Sequence, residues 1–272
     1  MKVNYLNDWA IEIEDVDLKS VTEEDAHFIA KKTIEQMVVV IRNQQLSPDD
    51  EIKFCNYIGS YQKTDVDRAK HINVRDGILR VTGQKNQHGE EGLFGHTSAL
   101  DWHANQTSNP DRKPLIWLYA VSNTEGSVTS WINNIESYKK LPADLLEEIK
   151  DLEITLGYKV GSYSPSKFFK EHHHVDKPFK LVHTNDAGLT GLYFPFLQIF
   201  GMVGKTEDQF NDLMERLKKH ILQDEFRYDH HWKDNDLVLS EQWLSIHKRW
   251  EFEGMDRRVL HRIAFDYSKL NV

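Results

Sequence analysis

What most constrains this chain is a series of apolar runs too short for helices and rich in β-branched and aromatic residues. They are Val38-Val39-Val40-Ile41, Ile78-Leu79-Arg80-Val81, Ile116 to Val121, Val128-Thr129-Ser130-Trp131, Phe226-Arg227-Tyr228, Leu237-Val238-Leu239, Trp243 to His247 and Val259 to Phe265. Runs of this length, bounded by turn residues, read as strands. Helical patterns are gathered early or inserted between them. Thr22-Glu23-Glu24-Asp25 puts a capping hydroxyl and acids at a helix start, and Phe28, Ile29 and Met37 supply the apolar face of a helix ending near Gln36. Ser47-Pro48-Asp49-Asp50 opens a second helix, with proline at its tolerated first position. Ile52, Cys55 and Ile58 face inward on it, and Gly59 reads as its stop. Leu145, Leu146, Ile149 and Leu152 mark an amphipathic helix over 142–152. Thr206-Glu207-Asp208-Gln209 is a capping box for a helix with Phe210, Leu213, Leu217 and Ile221 inward. Parallel α/β alternation is disfavoured, because no strand leads through a glycine-rich phosphate loop into a helix. The pattern predicts a mainly β chain with flanking helices, a double-stranded β-helix (jelly roll, cupin-like). With no internal repeat, low-complexity tract or linker, residues 1–272 read as one domain.

Charge and cysteine usage narrow the function classes. Asp and Glu outnumber Lys and Arg 43 to 34, a net charge of −9, which argues against a nucleic-acid partner because phosphate binding needs a basic footprint. A small anionic ligand needs only one or two placed arginines and stays open. Cys55 is the only cysteine, so neither an intrachain disulfide nor a cysteine-based metal site is available. Met1-Lys2-Val3-Asn4-Tyr5 lacks the apolar core of a signal peptide, and no run approaches membrane-spanning length. The expectation is a cytoplasmic protein with no membrane partner; homo-oligomerisation is left open.

Chemistry concentrates in two distant segments. Trp102 to Asn105 reads as a strand, on which residues two apart share a face, so His103 and Asn105 would project together. More than a hundred residues on stand His247, Arg258 and Arg262. Two imidazoles and one oxygen ligand on one face of an iron leave three positions for a co-substrate and dioxygen. His-x-Asn by itself is a weak signal. His96, in the glycine-bearing stretch between Tyr61 and Leu100, could face a pocket or be solvated. His172-His173-His174 cannot easily share one ion, since adjacent residues of an extended chain point to opposite sides. Tyr193, Phe194 and Phe196 could line a pocket or fill the core.

Four stretches together resemble the taurine dioxygenase (TauD/TfdA-like) family of Fe(II)- and 2-oxoglutarate-dependent oxygenases, from about residue 10 to the C-terminus. They are Val39 to Ser47 leading into the helix that ends at Gly59; Trp102-His103-Ala104-Asn105, similar to the family's Trp-His-x-Asp; Gly126-Ser127-Val128-Thr129-Ser130-Trp131, similar to its Gly-Gly-x-Thr-x-Trp turn; and His247 followed by Arg258 and Arg262 eleven and fifteen residues later. The resemblance implies that His103 and His247 bind iron. It implies that Thr129 and Arg258 hold the distal carboxylate of 2-oxoglutarate, and that Arg262 grips an acidic group of the primary substrate. A guanidinium suits this because its planar fork makes two parallel charge-assisted bonds to a carboxylate. Fe(II), 2-oxoglutarate and O2 are the implied cofactor and co-substrates, and the implied reaction oxidises an unactivated C–H bond of a small molecule, releasing succinate and CO2.

Asn105 departs from the pattern. An amide oxygen offsets none of a metal's charge, where a carboxylate offsets one unit. Three outcomes follow: Asn105 ligates through its carbonyl; it stays off the metal and leaves a position for water or chloride, as in halogenating relatives; or the protein is a non-catalytic binding variant. Asp101 is not placed by the motif to compensate.

Overall fold

The computed structural model describes residues 1–63, 73–85, 89, 99–107, 111–157 and 177–271. Its strands, in chain order, are β1 (Lys2–Tyr5), β2 (Ile11–Glu14), β3 (Val38–Ile41), β4 (Asn73–Arg75), β5 (Ile78–Thr82), β6 (Leu100–His103), β7 (Leu115–Ser122), β8 (Val128–Asn133), β9 (Glu153–Leu156), β10 (Phe179–Lys180), β11 (Val182–Thr184), β12 (Thr190–Leu192), β13 (Ile199–Met202), β14 (Arg227–His231), β15 (Leu237–Glu241), β16 (Ser245–Arg249) and β17 (Val259–Phe265). Among the described residues five α-helices accompany them: α1 (Glu23–Gln36), α2 (Pro48–Ile58), α3 (Asn134–Lys139), α4 (Ala143–Ile149) and α5 (Glu207–Ile221).

Two sheets carry the architecture. The larger has eight strands in the order β1-β2-β3-β15-β7-β17-β5-β4, and the smaller runs β14-β8-β16-β6. The central pairings are antiparallel, with Val238 opposite both Val40 and Leu118, so the ladders satisfy backbone groups that the apolar runs would otherwise bury unpaired. Strand alternation then sorts side chains into separate cores. Val39, Ile41, Leu237, Leu239, Trp117, Ile263 and Phe265 pack beneath α1 and α2. Their neighbours Val38, Val40, Val238, Ile116, Leu118, Leu260 and Ala264 face the other way, toward Trp131 and Tyr228 of the smaller sheet. A third core, on the outer side of the smaller sheet, joins Trp102, Ile132 and Ile246 to α4 and α5. Burial of each aliphatic side chain contributes about 1.5–3 kcal/mol. This is the expected double-sheet jelly roll with flanking helices.

The helix starts follow their capping residues: Thr22, Ser47 and Thr206 each close a capping box. Several local expectations need correction. Phe28 is exposed, and the buried face of α1 is Ala26, Ile29, Ala30, Thr33 and Ile34. Gly59 ends α2 in an extended conformation, and glycine is needed there because any Cβ would collide with Asp266. The strand expected over 102–105 ends at His103, so Asn105 lies in the following turn. Tyr193, Phe194 and Phe196 are core residues packed with Leu181 and Leu192. Among the described residues, no helix is long and apolar enough to cross a membrane.

Candidate active site

Strand pairing, not sequence proximity, brings the two histidines together. β16 lies between β8 and β6, with His247 opposite His103 on one side and Trp131 on the other. The imidazole centroids are 4.1 Å apart, and both rings are buried. Trp131 stacks on His247 at 6.2 Å with a 27° interplanar angle, limiting its tilt. His103 Nδ1 donates to the Asp101 carbonyl at 2.7 Å, which fixes the tautomer and leaves Nε2 with its lone pair. Burial pushes His103 down to about 4, with the charges of Arg249 and Arg262 adding to it. His247 is pushed well below its ordinary value by burial and by His103. Both imidazoles are therefore neutral near pH 7, the form a metal requires.

Asn105 reaches the same spot from its turn, where Gln106 adopts a left-handed φ of 61°. Two glutamines hold the segment. Gln198 accepts from the Ala104 amide at 3.0 Å and donates to its carbonyl at 2.8 Å. Gln242 accepts from the Asn105 amide at 3.0 Å, and Arg112 donates to the Gln242 carbonyl. Arg262 donates to Asn105 Oδ1 at 3.0 Å. A guanidinium has no acceptor, so the atom it meets is the amide oxygen, and Nδ2 is the atom 3.4 Å from His247 Nε2. Among the described residues no group of three His, Cys, Asp or Glu side chains converges here or elsewhere.

Beside the histidines a pocket is lined by Thr129, Arg249, Arg258 and Arg262, with Val81, Leu100, Leu118 and Leu260 as apolar walls. Arg258 is 2% exposed, and its Nε and Nη1 have no partner among the described residues. Burial, then the neighbouring Arg249 charge, push it down to about 9; it remains charged at neutral pH. Trp232 Nε1 donates to Thr129 Oγ1 at 2.9 Å. That occupies a lone pair of the hydroxyl and frees its proton for a ligand.

The donor chemistry fits a divalent metal held by two neutral imidazoles, and it fits a diacid. An unpaired buried guanidinium costs the fold free energy that an incoming carboxylate recovers. Of the residues read from sequence, His103, Asn105, Thr129, His247, Arg258 and Arg262 all line this one pocket. His96 and His172 to His174 lie outside the described residues. Sequence reasoning missed Arg249, which a two-residue offset from His247 on one strand would have placed on the same face. It also missed Gln198, Gln242 and Trp232, whose roles carry no linear signal.

Comparison with known proteins identifies the family of the chain. The Taurine catabolism dioxygenase TauD, TfdA family profile matches residues 2–264. The alpha-ketoglutarate-dependent 2,4-dichlorophenoxyacetate dioxygenase of Cupriavidus pinatubonensis is 23% identical over 268 residues, covering 93% of each chain. Pentalenolactone F synthase of Streptomyces arenae is 20% identical, covering 84% of this chain and 82% of that one. Among solved structures, AAD-2 in complex with Mn(II) and N-oxalylglycine superposes with a TM-score of 0.80 at 20% identity, over 97% of this chain and 96% of that one. A taurine dioxygenase from Burkholderia xenovorans gives 0.78 at 19% identity, over 97% and 88%. This chain belongs to the TauD/TfdA family and is a 2-oxoglutarate-dependent dioxygenase, of a kind that uses Fe(II) and 2-oxoglutarate.

Proposed function

We propose that the protein hydroxylates an unactivated C–H bond of a small anionic molecule, with His103 and His247 holding Fe(II) and with succinate and CO2 as co-products. One observation carries the reading: two buried, neutral imidazoles stand side by side against a buried guanidinium with unpartnered donors. Arg258 and Thr129 bind the far carboxylate of 2-oxoglutarate, and Trp232 keeps the Thr129 proton aimed at it. The leucines and Val81 exclude water from the pocket, which strengthens these contacts. Arg262, in the same pocket, is the cation for the acidic group of the primary substrate. Iron, when bound, supplies dioxygen activation coupled to decarboxylation of the co-substrate. This chain's residues supply orientation, charge and dryness.

The turning of the Asn105 oxygen toward Arg262 favours a second reading, in which Asn105 does not complete the metal site. The reaction is then halogenase-like, with chloride in the vacated ligand position, or the protein is a ligand-binding variant. Anaerobic Fe(II) and 2-oxoglutarate should produce a visible charge-transfer band in an oxygenase and none in a binding variant. With O2, chloride and candidate carboxylate, sulfonate or phosphonate substrates, succinate release and product mass separate hydroxylation from halogenation. Failure to form the coloured complex would sink the catalytic reading.

A further inference from the structure

Among the described residues of the pocket, Arg249 is the cation with no part in the reading above. It is 5% exposed, sits two residues beyond His247 on β16, and pairs in register with Thr129 of β8. On the other side of β16 the register slips by one between His247 and Arg249, which lies opposite Leu100. Bulges of this kind re-aim a side chain beside a site. Arg249, Arg258 and Thr129 line one pocket, and no carboxylate is among its described lining residues.

We propose that Arg249 is a third arm of the diacid clamp, and that with Arg258 and Thr129 it forms a carboxylate site able to hold the co-substrate's far end without metal. This rests on the oxygenase reading. In a pocket that depends on chelation, the keto and near-carboxylate oxygens bring the diacid to the metal. Here two guanidiniums and a hydroxyl line the same pocket, so on this proposal recognition starts from the distal carboxylate. Ligands are selected by that group whether or not they can chelate.

Calorimetric titration of the EDTA-treated protein tests this. 2-Oxoglutarate and glutarate, which lacks the keto group, should both bind, and 2-oxobutyrate, which lacks the distal carboxylate, should not. Arg249→Gln should weaken 2-oxoglutarate binding about ten-fold or more, the effect of losing a charge-assisted hydrogen bond. It should leave Mn(II) affinity measured without diacid undiminished, since a cation has been removed from its neighbourhood. Arg249→Lys, which keeps the charge but not the fork, should fall between. In turnover the effect should appear in KM for 2-oxoglutarate and not in kcat. Binding of 2-oxoglutarate with Mn(II) present but not to metal-free wild-type protein overturns the proposal and leaves the oxygenase reading standing. So does wild-type affinity in both variants. No binding under either condition overturns both.

Discussion

At the scale of single residues the site turns on where charge is missing. Asn105 offers an amide where the family pattern has a carboxylate, and its oxygen already accepts from Arg262. Asn105→Asp should tighten Mn(II) or Co(II) binding by about ten-fold or more, because a unit negative charge is gained next to a divalent cation at a protein-like dielectric. Competition with a chelating dye measures this, and unchanged affinity would mean that the side chain is remote from the metal. Arg258 is the complementary case. Its Nε and Nη1 lack partners although the residue is almost wholly buried. Arg258→Met should therefore raise the ligand-free protein's stability by about 1–3 kcal/mol. It should also weaken 2-oxoglutarate binding by about ten- to a hundred-fold. A melting temperature that falls, with diacid affinity unchanged, would make Arg258 a structural residue. His103, His247, Arg258 and Arg262 were legible in the sequence because their motifs and spacing resemble one family's pattern. The direction of the Asn105 amide was not, since it depends on a guanidinium from β17.

At the scale of elements, alternation along β17 divides two duties between adjacent residues. Arg262 faces the pocket, while His261 faces α2, where its Nδ1 lies 2.6 Å from Glu51 Oε1. The other Glu51 oxygen accepts from Trp117 Nε1 of β7 at 2.9 Å. One fully buried carboxylate thus ties helix α2 to two strands of the larger sheet. Glu51→Ala should destabilise the protein by about 3–5 kcal/mol in urea unfolding, the cost of leaving buried polar partners unmatched. Glu147→Ala, which removes the exposed ion pair with Lys150, should change stability by less than about 1 kcal/mol. Equal effects would show that burial does not decide the energetics of these pairs. The boundaries of α1, α2 and α5 were readable from Thr22, Ser47 and Thr206, since capping is local chemistry. The end of β6 at His103 was not. Gln198 and Gln242 set it by satisfying the next two backbone amides from remote parts of the chain.

At the scale of the whole molecule, a buried acid links stability to pH. Glu241 closes β15 with no exposed surface, and burial pushes it up to about 7 despite hydrogen bonds from the Leu244 and Trp243 amides. An acid whose folded pKa exceeds its unfolded value makes the native state bind more protons than the unfolded chain between those two values. Its stabilising effect is present at low pH and is lost as pH rises from about 4.5 through 7. Relative to wild type, Glu241→Gln should therefore gain melting temperature on going from about pH 5 to about pH 8. A gap that does not change with pH would mean that Glu241 stays ionised throughout. Asp266 acts oppositely. Although burial opposes it, hydrogen bonds from Lys113, Ser268 and Ser60 hold it down to about 2, so its contribution is lost only in strong acid.

The sequence by itself determined the class of fold and the identities of most pocket residues. Strand-length runs rich in β-branched residues are most simply buried as sheet, and four stretches that resemble one family pointed to the histidines and arginines. Tertiary structure alone decided which strands became neighbours, and so that His103 meets His247 across β16 and β6. It also decided that Arg249 joins Thr129 and that Asn105 turns its oxygen to Arg262. The physical reason is that a strand's own pattern says which side chains share a face. Only pairing between distant strands says which faces come together, and the polar contacts made there set what each group can bind.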